Sequence, residues 1–383
     1  MRASVVISAL VAVLVGFGSS VAIVLAAADA VGANAAQTSS WIASICLATA
    51  ATTAILSIRY RMPIVAAWST PGAALIAQSS GETIETAVGA FFFAAVLTLL
   101  TAIFKPIAAM IERIPGSVAS AMLAGVLFSF VLGVFDHLKS APELVLPLLL
   151  LFVAVRLFSP IWAVLAVLLC GIALTYVLGL AGSVDGLQIS RLEWINPKFN
   201  IEPMIGLGLP LYLVTMASQN LPGFAVLKAS GYSPPSRPVL SVTGLASLAT
   251  AGFGAHATNL AAITASICTG PDAHPDKDKR WLCGPFYAGG YVVIAAFGAS
   301  LVALFASFPK ALIATVASIA LIGALASALG NSVAEGKDRF VAVATFAVTA
   351  SGLSAFGIGS AFWGLAAGLL IYGLDRLYER FKA

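Results

Sequence analysis

The chain has 383 residues, 60% of them apolar and 9% charged, with a mean hydropathy of +1.01. A water-exposed globular surface carries about 25% charged residues, so a soluble enzyme, a nucleic-acid binder and a disordered scaffold are excluded. What is left is a polytopic membrane protein, whose 34 glycines suit close helix packing in lipid. The formal net charge of +4 is too small to attract nucleic acid. Cys46, Cys170, Cys268 and Cys283 have neither disulfide nor metal-site spacing.

At about 20 apolar residues per crossing, the chain has room for roughly 12–14 spans. The first apolar run, about 4–28, is longer than a signal-peptide core and further spans follow at once, so it reads as a retained helix. Punctuation by Pro, Gly and charge then predicts spans over about 37–58, a short 63–79, 84–104, 115–135, 142–157 and 160–180. A polar stretch, about 183–202, separates these from seven more: about 203–228, 237–252, a short 256–270, 282–304, 310–329, 338–355 and 357–374. The expected fold is therefore an all-α polytopic membrane protein of about 14 transmembrane segments. The last residues, 375–382, read as a short surface helix whose Arg376, Arg380 and Lys382 meet anionic headgroups.

With the N-terminus inside, 16 of the 20 basic residues fall on one side, among them Arg59, Arg61, Lys105, Arg113, Lys277 and Arg280. Lys139, Arg191, Lys198 and Lys310 fall on the other. The asymmetry places both termini in the cytoplasm. Arg156 and Lys105, at span ends, read as snorkelling anchors, and His137 and His274 as solvated loop residues.

The two halves share weak similarity. Ala22-Ile23-Val24-Leu25 before Gly32 is matched by Ala225-Val226-Leu227 before Gly231, and Ala73-Ala74-Leu75-Ile76-Ala77 by Leu260-Ala261-Ala262-Ile263-Thr264. Seven is odd, so the second copy enters from the opposite side, giving a 7+7 inverted repeat. Such repeats place the substrate near the midplane between discontinuous helices.

Both candidate breaks are legible. In the third span Trp68-Ser69-Thr70-Pro71-Gly72 precedes an apolar half-helix: proline suits the first turn and a hydroxyl caps it. In the tenth, Gly252-Phe253-Gly254-Ala255-His256-Ala257-Thr258-Asn259 precedes another, with Thr258 or His256 near its cap. Two half-helix N-termini aimed at one point favour an anion. The alternative is a pair of ordinary Pro/Gly kinks. Ser218-Gln219-Asn220-Leu221-Pro222-Gly223 adds amides followed by a break in the eighth span, and Ser19 and Ser20 add hydroxyls in the first. No Asp or Glu lies mid-span there, which suits a carboxylate ligand, and Gln219, Asn220 and Asn259 donate hydrogen bonds without charge. His256 is the one titratable side chain at the proposed site. It reads either as a packed histidine bonded to a backbone carbonyl or as a ligand contact and proton carrier. Phe17, Trp68 and Phe253 flank the breaks.

The segments Trp68 to Leu75, Ser218 to Gly223 and Gly252 to Asn259 together resemble the bacterial benzoate–proton symporter family; Arg59-Tyr60-Arg61-Met62-Pro63 and the loop Gly270 to Pro275 fit as well. The similarity runs from the first helix to the last. That family is similar in fold to the uracil and xanthine transporters. The resemblance implies a core domain (1–113 and 203–305), a gate domain (114–202 and 306–383), and short strands before the half-helices of segments 3 and 10. Nucleobase transporters carry acidic residues on the eighth and tenth spans. Here Gln219 and Asn220, and His256 and Asn259, stand in the comparable stretches, which argues for a carboxylate.

The expected function is import of benzoate or a related aromatic carboxylate with a proton, by alternating access in the bacterial inner membrane. A co-transported proton removes the cost of importing an anion, about 2.3 kcal/mol per 100 mV. The substrate contacts expected are Ser19, Ser20, Ser69, Thr70, Pro71, Gly72, Gln219, Asn220, His256, Thr258 and Asn259, with His256 the candidate proton carrier. No cofactor, metal or catalytic group is expected, and fold-level analogy suggests a homodimer. Alternatives are a same-fold transporter of a nucleobase, sulfate or aliphatic acid, and an anion channel. A membrane-embedded enzyme fits least, for want of a catalytic carboxylate pair or metal-ligand cluster at the midplane.

Overall fold

The computed structural model describes residues 3–79, 81–104, 115–182, 186–353, 355–356 and 358–382. Lys105, Arg113 and the start of the polar stretch at 183 lie outside these residues. Among the described residues the first half comprises α1 (Ala3–Gly18), α2 (Val21–Ala30), α3 (Ala35–Tyr60), β1 (Ala66–Trp68), α4 (Thr70–Ala77), α5 (Ile84–Ile103), α6 (Gly116–Ser140), α7 (Pro142–Phe158) and α8 (Pro160–Val177). The second comprises α9 (Ile201–Ala229), α10 (Ser236–Ala251), β2 (Thr258–Leu260), α11 (Ile263–Thr269), α12 (Cys283–Ala296), α13 (Gly298–Ala306), α14 (Lys310–Ser332), α15 (Arg339–Ala350) and α16 (Ser360–Lys382).

Six of these helical stretches are long and apolar enough to cross a membrane, α1 and α2 counting as one, and a seventh if α12 and α13, bent by 59°, form one span. The remaining segments read as spans are shorter or broken helices, and α16, at 23 residues, carries charge in its C-terminal half. The chain is thus a mostly helical membrane protein. One set of helices packs α3 on α12, α5 on α10, α2 on α4 and α1 on α12; another packs α6 on α14, α6 and α16 on α15, and α7 on α8.

Several boundaries differ from the sequence reading. The first span is interrupted at Ser19 and Ser20, where the Ser20 hydroxyl donates to the Gly16 carbonyl (2.6 Å). The eighth has no break at Pro222: α9 runs through, with π-helical turns at Met204–Gly208 and Met216–Asn220. A proline cannot donate and crowds the carbonyl four residues back, and a widened turn absorbs that mismatch. The C-terminal segment is no separate surface helix but the continuation of α16. His137 lies in the last turn of α6, and His274 is buried rather than solvated.

The two strands come from segments far apart in sequence and pair antiparallel, with Ala66 opposite Leu260, Ala67 opposite Asn259 and Trp68 opposite Thr258. Two more backbone bonds extend the ladder, Ala261 N–H to Val65 (3.0 Å) and Ser69 N–H to Ala257 (3.3 Å). A two-stranded ribbon has two open edges, and buried N–H and C=O groups left there are costly. Four neighbouring helices close them with side chains. From α3, the Thr53 hydroxyl accepts from Ala66 N–H (2.9 Å); from α10, the Ser247 hydroxyl accepts from Thr258 N–H (2.8 Å). From α9, Asn220 Oδ1 accepts from Leu260 N–H (3.0 Å); from α12, Tyr287 donates its hydroxyl proton to the Ala66 carbonyl (2.9 Å). Gly223 lets α9 approach this ribbon: a Cβ there would press into the Leu260 side chain and lie 3.1 Å from the Ala261 carbonyl.

Replacing Asn220 by Leu strands the buried Leu260 N–H and lowers stability by about 1–3 kcal/mol, and Ser247→Ala does the same for Thr258. Gln219→Leu, one residue from Asn220, leaves stability nearly unchanged because its side chain makes no hydrogen bond among the described residues. Thermal unfolding in detergent, followed by tryptophan fluorescence, separates the three.

Candidate functional site

The site grows out of the ribbon. Directly after β1, Ser69 adopts extended geometry and its hydroxyl accepts from Gly72 N–H (3.1 Å), capping α4, with Pro71 in the first turn. Gly72 is needed for this cap, since a Cβ there would come within 2.7 Å of the Ser69 hydroxyl. After β2 the chain behaves differently. The sequence reading puts Thr258 or His256 near the cap of the second half-helix, but Thr258 is a strand residue and α11 begins at Ile263. Its cap position is Ala262, which has no side-chain acceptor, and among the described residues no side chain caps the helix. The ladder sets this delay: residues 258–260 must stay extended to pair with β1. The two half-helix starts are therefore unlike, one closed on its own serine and the other uncapped.

Both starts border a cavity of about 330 Å³, within the range of small-molecule sites. Its floor is Ala67, Trp68 and Thr70 on one side and Ala261, Ala262 and Thr264 on the other. Gly16, Ser19 and Ser20 from the first span close one flank, and Ser218, Gln219 and Pro222 of α9 another. Tyr287 and Tyr291 of α12 stand behind it. The lining is completed by α6, through Ala119, Ser120 and Leu123, and by one face of α14, through Ala320, Ala324, Ser327, Ala328 and Asn331. An aromatic ladder runs along the floor: Phe17 meets Trp68 edge-on (6.1 Å between centroids), Trp68 meets Tyr291 (5.7 Å), and Tyr291 leans on Tyr287 (4.9 Å). Gly16 has no Cβ to spare, since one would lie 2.9 Å from the Tyr291 hydroxyl. The Ser218 hydroxyl and the Trp68 indole N–H have no protein partner among the described residues.

Of the residues expected from the sequence, Ser19, Ser20, Thr70 and Gln219 line this cavity. Ser69, Pro71 and Gly72 lie buried in the turn beneath Thr70. Asn220, fully buried, is spent on the Leu260 N–H and on Met216 Sδ (3.3 Å). Asn259 is also buried; with its amide turned to suit its neighbours, Oδ1 accepts from Ser69 N–H (2.9 Å) and Nδ2 donates to the Leu260 carbonyl (2.9 Å). His256 and Thr258 face away from the cavity, toward α5, α9 and α10, and the Thr258 hydroxyl has no partner among the described residues.

His256 is held from both ring nitrogens. Trp41 Nε1 donates to Nδ1 (3.1 Å), and Nε2 bonds the Ser69 carbonyl (2.9 Å). An indole N–H only donates, so Nδ1 is the acceptor and the ring proton sits on Nε2. The imidazole packs against Trp41 and Phe91, with centroids 5.8 and 6.3 Å away. It is a strut joining α3 to the start of α4.

Residues the sequence reading did not single out as contacts include Thr264, Tyr287, Tyr291, Ser120, Ser327 and Asn331. The two tyrosines lie four apart on α12, one helical face. The α14 stripe at 320, 324, 327, 328 and 331 follows helical period. Both patterns were present in the sequence, but a run of small residues there reads as helix packing until a facing cavity is known.

The family profile described as "Benzoate membrane transport protein" matches residues 1–374. The chain belongs to the benzoate membrane transport family. It is 40% identical over 363 residues to inner membrane protein YdcO of Escherichia coli (strain K12), covering 94% of this chain and 93% of that protein. It is 38% identical over 371 residues to the benzoate membrane transport protein of Acinetobacter baylyi, covering 96% and 94%. Among solved structures, it is similar in fold to SLC26A9 (TM-score 0.69, 13% identity, 97% of this chain and 65% of that one). It is likewise similar to the transmembrane domain of the cyanobacterial bicarbonate transporter BicA (TM-score 0.61, 13% identity, 96% and 97%). At that identity the likeness concerns fold alone.

For this benzoate-transport family member, His256→Ala leaves the Trp41 N–H and the Ser69 carbonyl unpaired around a void, at a cost of about 2–5 kcal/mol. Because His256 is outside the cavity lining, whatever fraction stays folded retains a ligand-induced rise in melting temperature. Thermal shift with and without benzoate reads both quantities.

Proposed function

We propose that the protein imports benzoate, or a close aromatic carboxylate, together with a proton, by alternating access. The observation that carries this reading is the cavity itself: it is lined by Trp68 and Tyr291, edged with hydroxyls and amides, and shared between the ribbon with its half-helix starts and residues of α6 and α14. The aromatic ring lies between the Trp68–Tyr291 pair and the alanine stripe of α14. The carboxyl group meets Thr70, Ser19, Ser20 and Gln219, along with backbone at the start of α11. Ser69, Pro71, Gly72, Asn220, Thr258 and Asn259 act at one remove, by fixing the ribbon and the half-helix starts.

In this reading the chain is a fourteen-segment 7+7 inverted repeat, and the antiparallel pairing of β1 with β2, one strand from each half, supports it. Residues 1–113 and 203–305 form the core that moves against a gate of 114–202 and 306–383. Both termini are cytoplasmic. The lone ion pair joining α2 to α14, Asp29 with Lys310 at 3.2 Å, is largely exposed and contributes little to stability, so it can break and re-form as the two bodies move. His256 serves as the strut; a second proton on Nδ1 would face the Trp41 N–H donor to donor. The other reading, an anion transporter of different selectivity, is favoured by the fold shared with SLC26A9 and BicA.

The test is uptake of labelled benzoate into proteoliposomes, with protein-free vesicles subtracted for passive entry of the acid. Saturable uptake driven by an inward proton gradient, abolished by a protonophore and unaffected by excess uracil or sulfate, is expected. Large uncoupled currents, or sulfate as the better competitor, would replace the symporter by a channel or by another anion carrier. Gln219→Leu is expected to raise KM about tenfold, the loss of one polar contact of about 1.4 kcal/mol.

A further inference from the structure

The cavity is unusual for an anion site in having no cation. Among its described lining residues, those from the first span, β1, α4, α6, α9, the Ala261–Thr264 turn and α14 are all neutral, and Tyr287 and Tyr291 of α12 are the only titratable groups. His256 lies outside it with both ring nitrogens engaged. Cys268 of α11 and Cys283 of α12 are buried nearby, also outside the lining. The polar side chains that line it are nine hydroxyls, Ser218, Ser327 and the two tyrosines among them, two amides (Gln219 and Asn331), and Trp68, whose indole N–H is the one group that only donates. Hydroxyls and amides donate and accept; a carboxylate calls only for donors, whereas a neutral carboxyl group calls for both.

We infer that the site binds its aromatic substrate as the neutral acid, so that the transported proton rides on the substrate carboxyl group and not on a side chain. This rests on the benzoate reading above. A carboxylate moved from water into an apolar cavity without a counter-ion is disfavoured against its protonated form. On the outer side a carboxylate oxygen takes a proton from water and an O–H bond forms. The neutral molecule crosses, and on the inner side that bond breaks and the proton returns to water. One proton and one carboxylate move, with no net charge.

The experiment is binding to the full-length protein by isothermal titration calorimetry. Above the acid's own pKa, the apparent Kd of total benzoate is expected to weaken about tenfold per pH unit. At fixed pH, a series of ring-substituted benzoates of graded acidity is expected to weaken about tenfold for each unit of acid strength. Benzamide, a neutral isostere, is expected to compete with an affinity independent of pH, and benzenesulfonate, ionised throughout, is expected not to bind. Affinity flat in pH, no dependence on acid strength, or benzenesulfonate binding as well as benzoate would overturn the inference. Absence of benzoate binding at every pH would instead overturn the benzoate reading on which it rests.

Discussion

Extended backbone deep inside a membrane protein must find a partner for every N–H and C=O, and the rest of this structure follows from that. An α-helix meets the requirement within itself; an interrupted one does not. Here two interruptions solve the problem for each other by pairing as β1 and β2, and the edges left over are closed by Thr53, Ser247, Asn220 and Tyr287. Those four residues come from four helices, α3, α10, α9 and α12. The ribbon therefore dictates where those helices stand, and Gly223 lets one of them stand close. Hydrogen bonding, not apolar burial, sets the geometry, as expected where lipid and side chains are equally oily.

The same economy explains the division of labour among the polar residues. A side chain near the ribbon either holds backbone or faces the void, and neighbours in sequence take opposite parts: Asn220 bonds the Leu260 N–H while Gln219 faces the cavity. Ser69 caps α4 from beneath while Thr70 lines the floor. His256 is drawn away from the cavity by Trp41 and the Ser69 carbonyl. The surface left for a guest is aromatic and hydroxylic, without fixed charge. That surface suits a flat molecule with one polar end.

The sequence by itself determined the class and much of the outline. Its scarcity of charge admits only a membrane protein, and Trp68-Ser69-Thr70-Pro71-Gly72 spells strand end, cap and helix start in order, because proline and a capping hydroxyl act within one turn. Tertiary structure decided the rest. That Thr258 would be strand and not cap depends on a partner strand some 190 residues away, so its local signal misled. That α9 would run on through Pro222 depends on a π turn, and that Tyr287, Tyr291 and the α14 stripe line a cavity depends on which faces meet. Local rules fix how a segment can fold, but which polar group is used up and which is left free is settled only when distant segments come to share their hydrogen bonds.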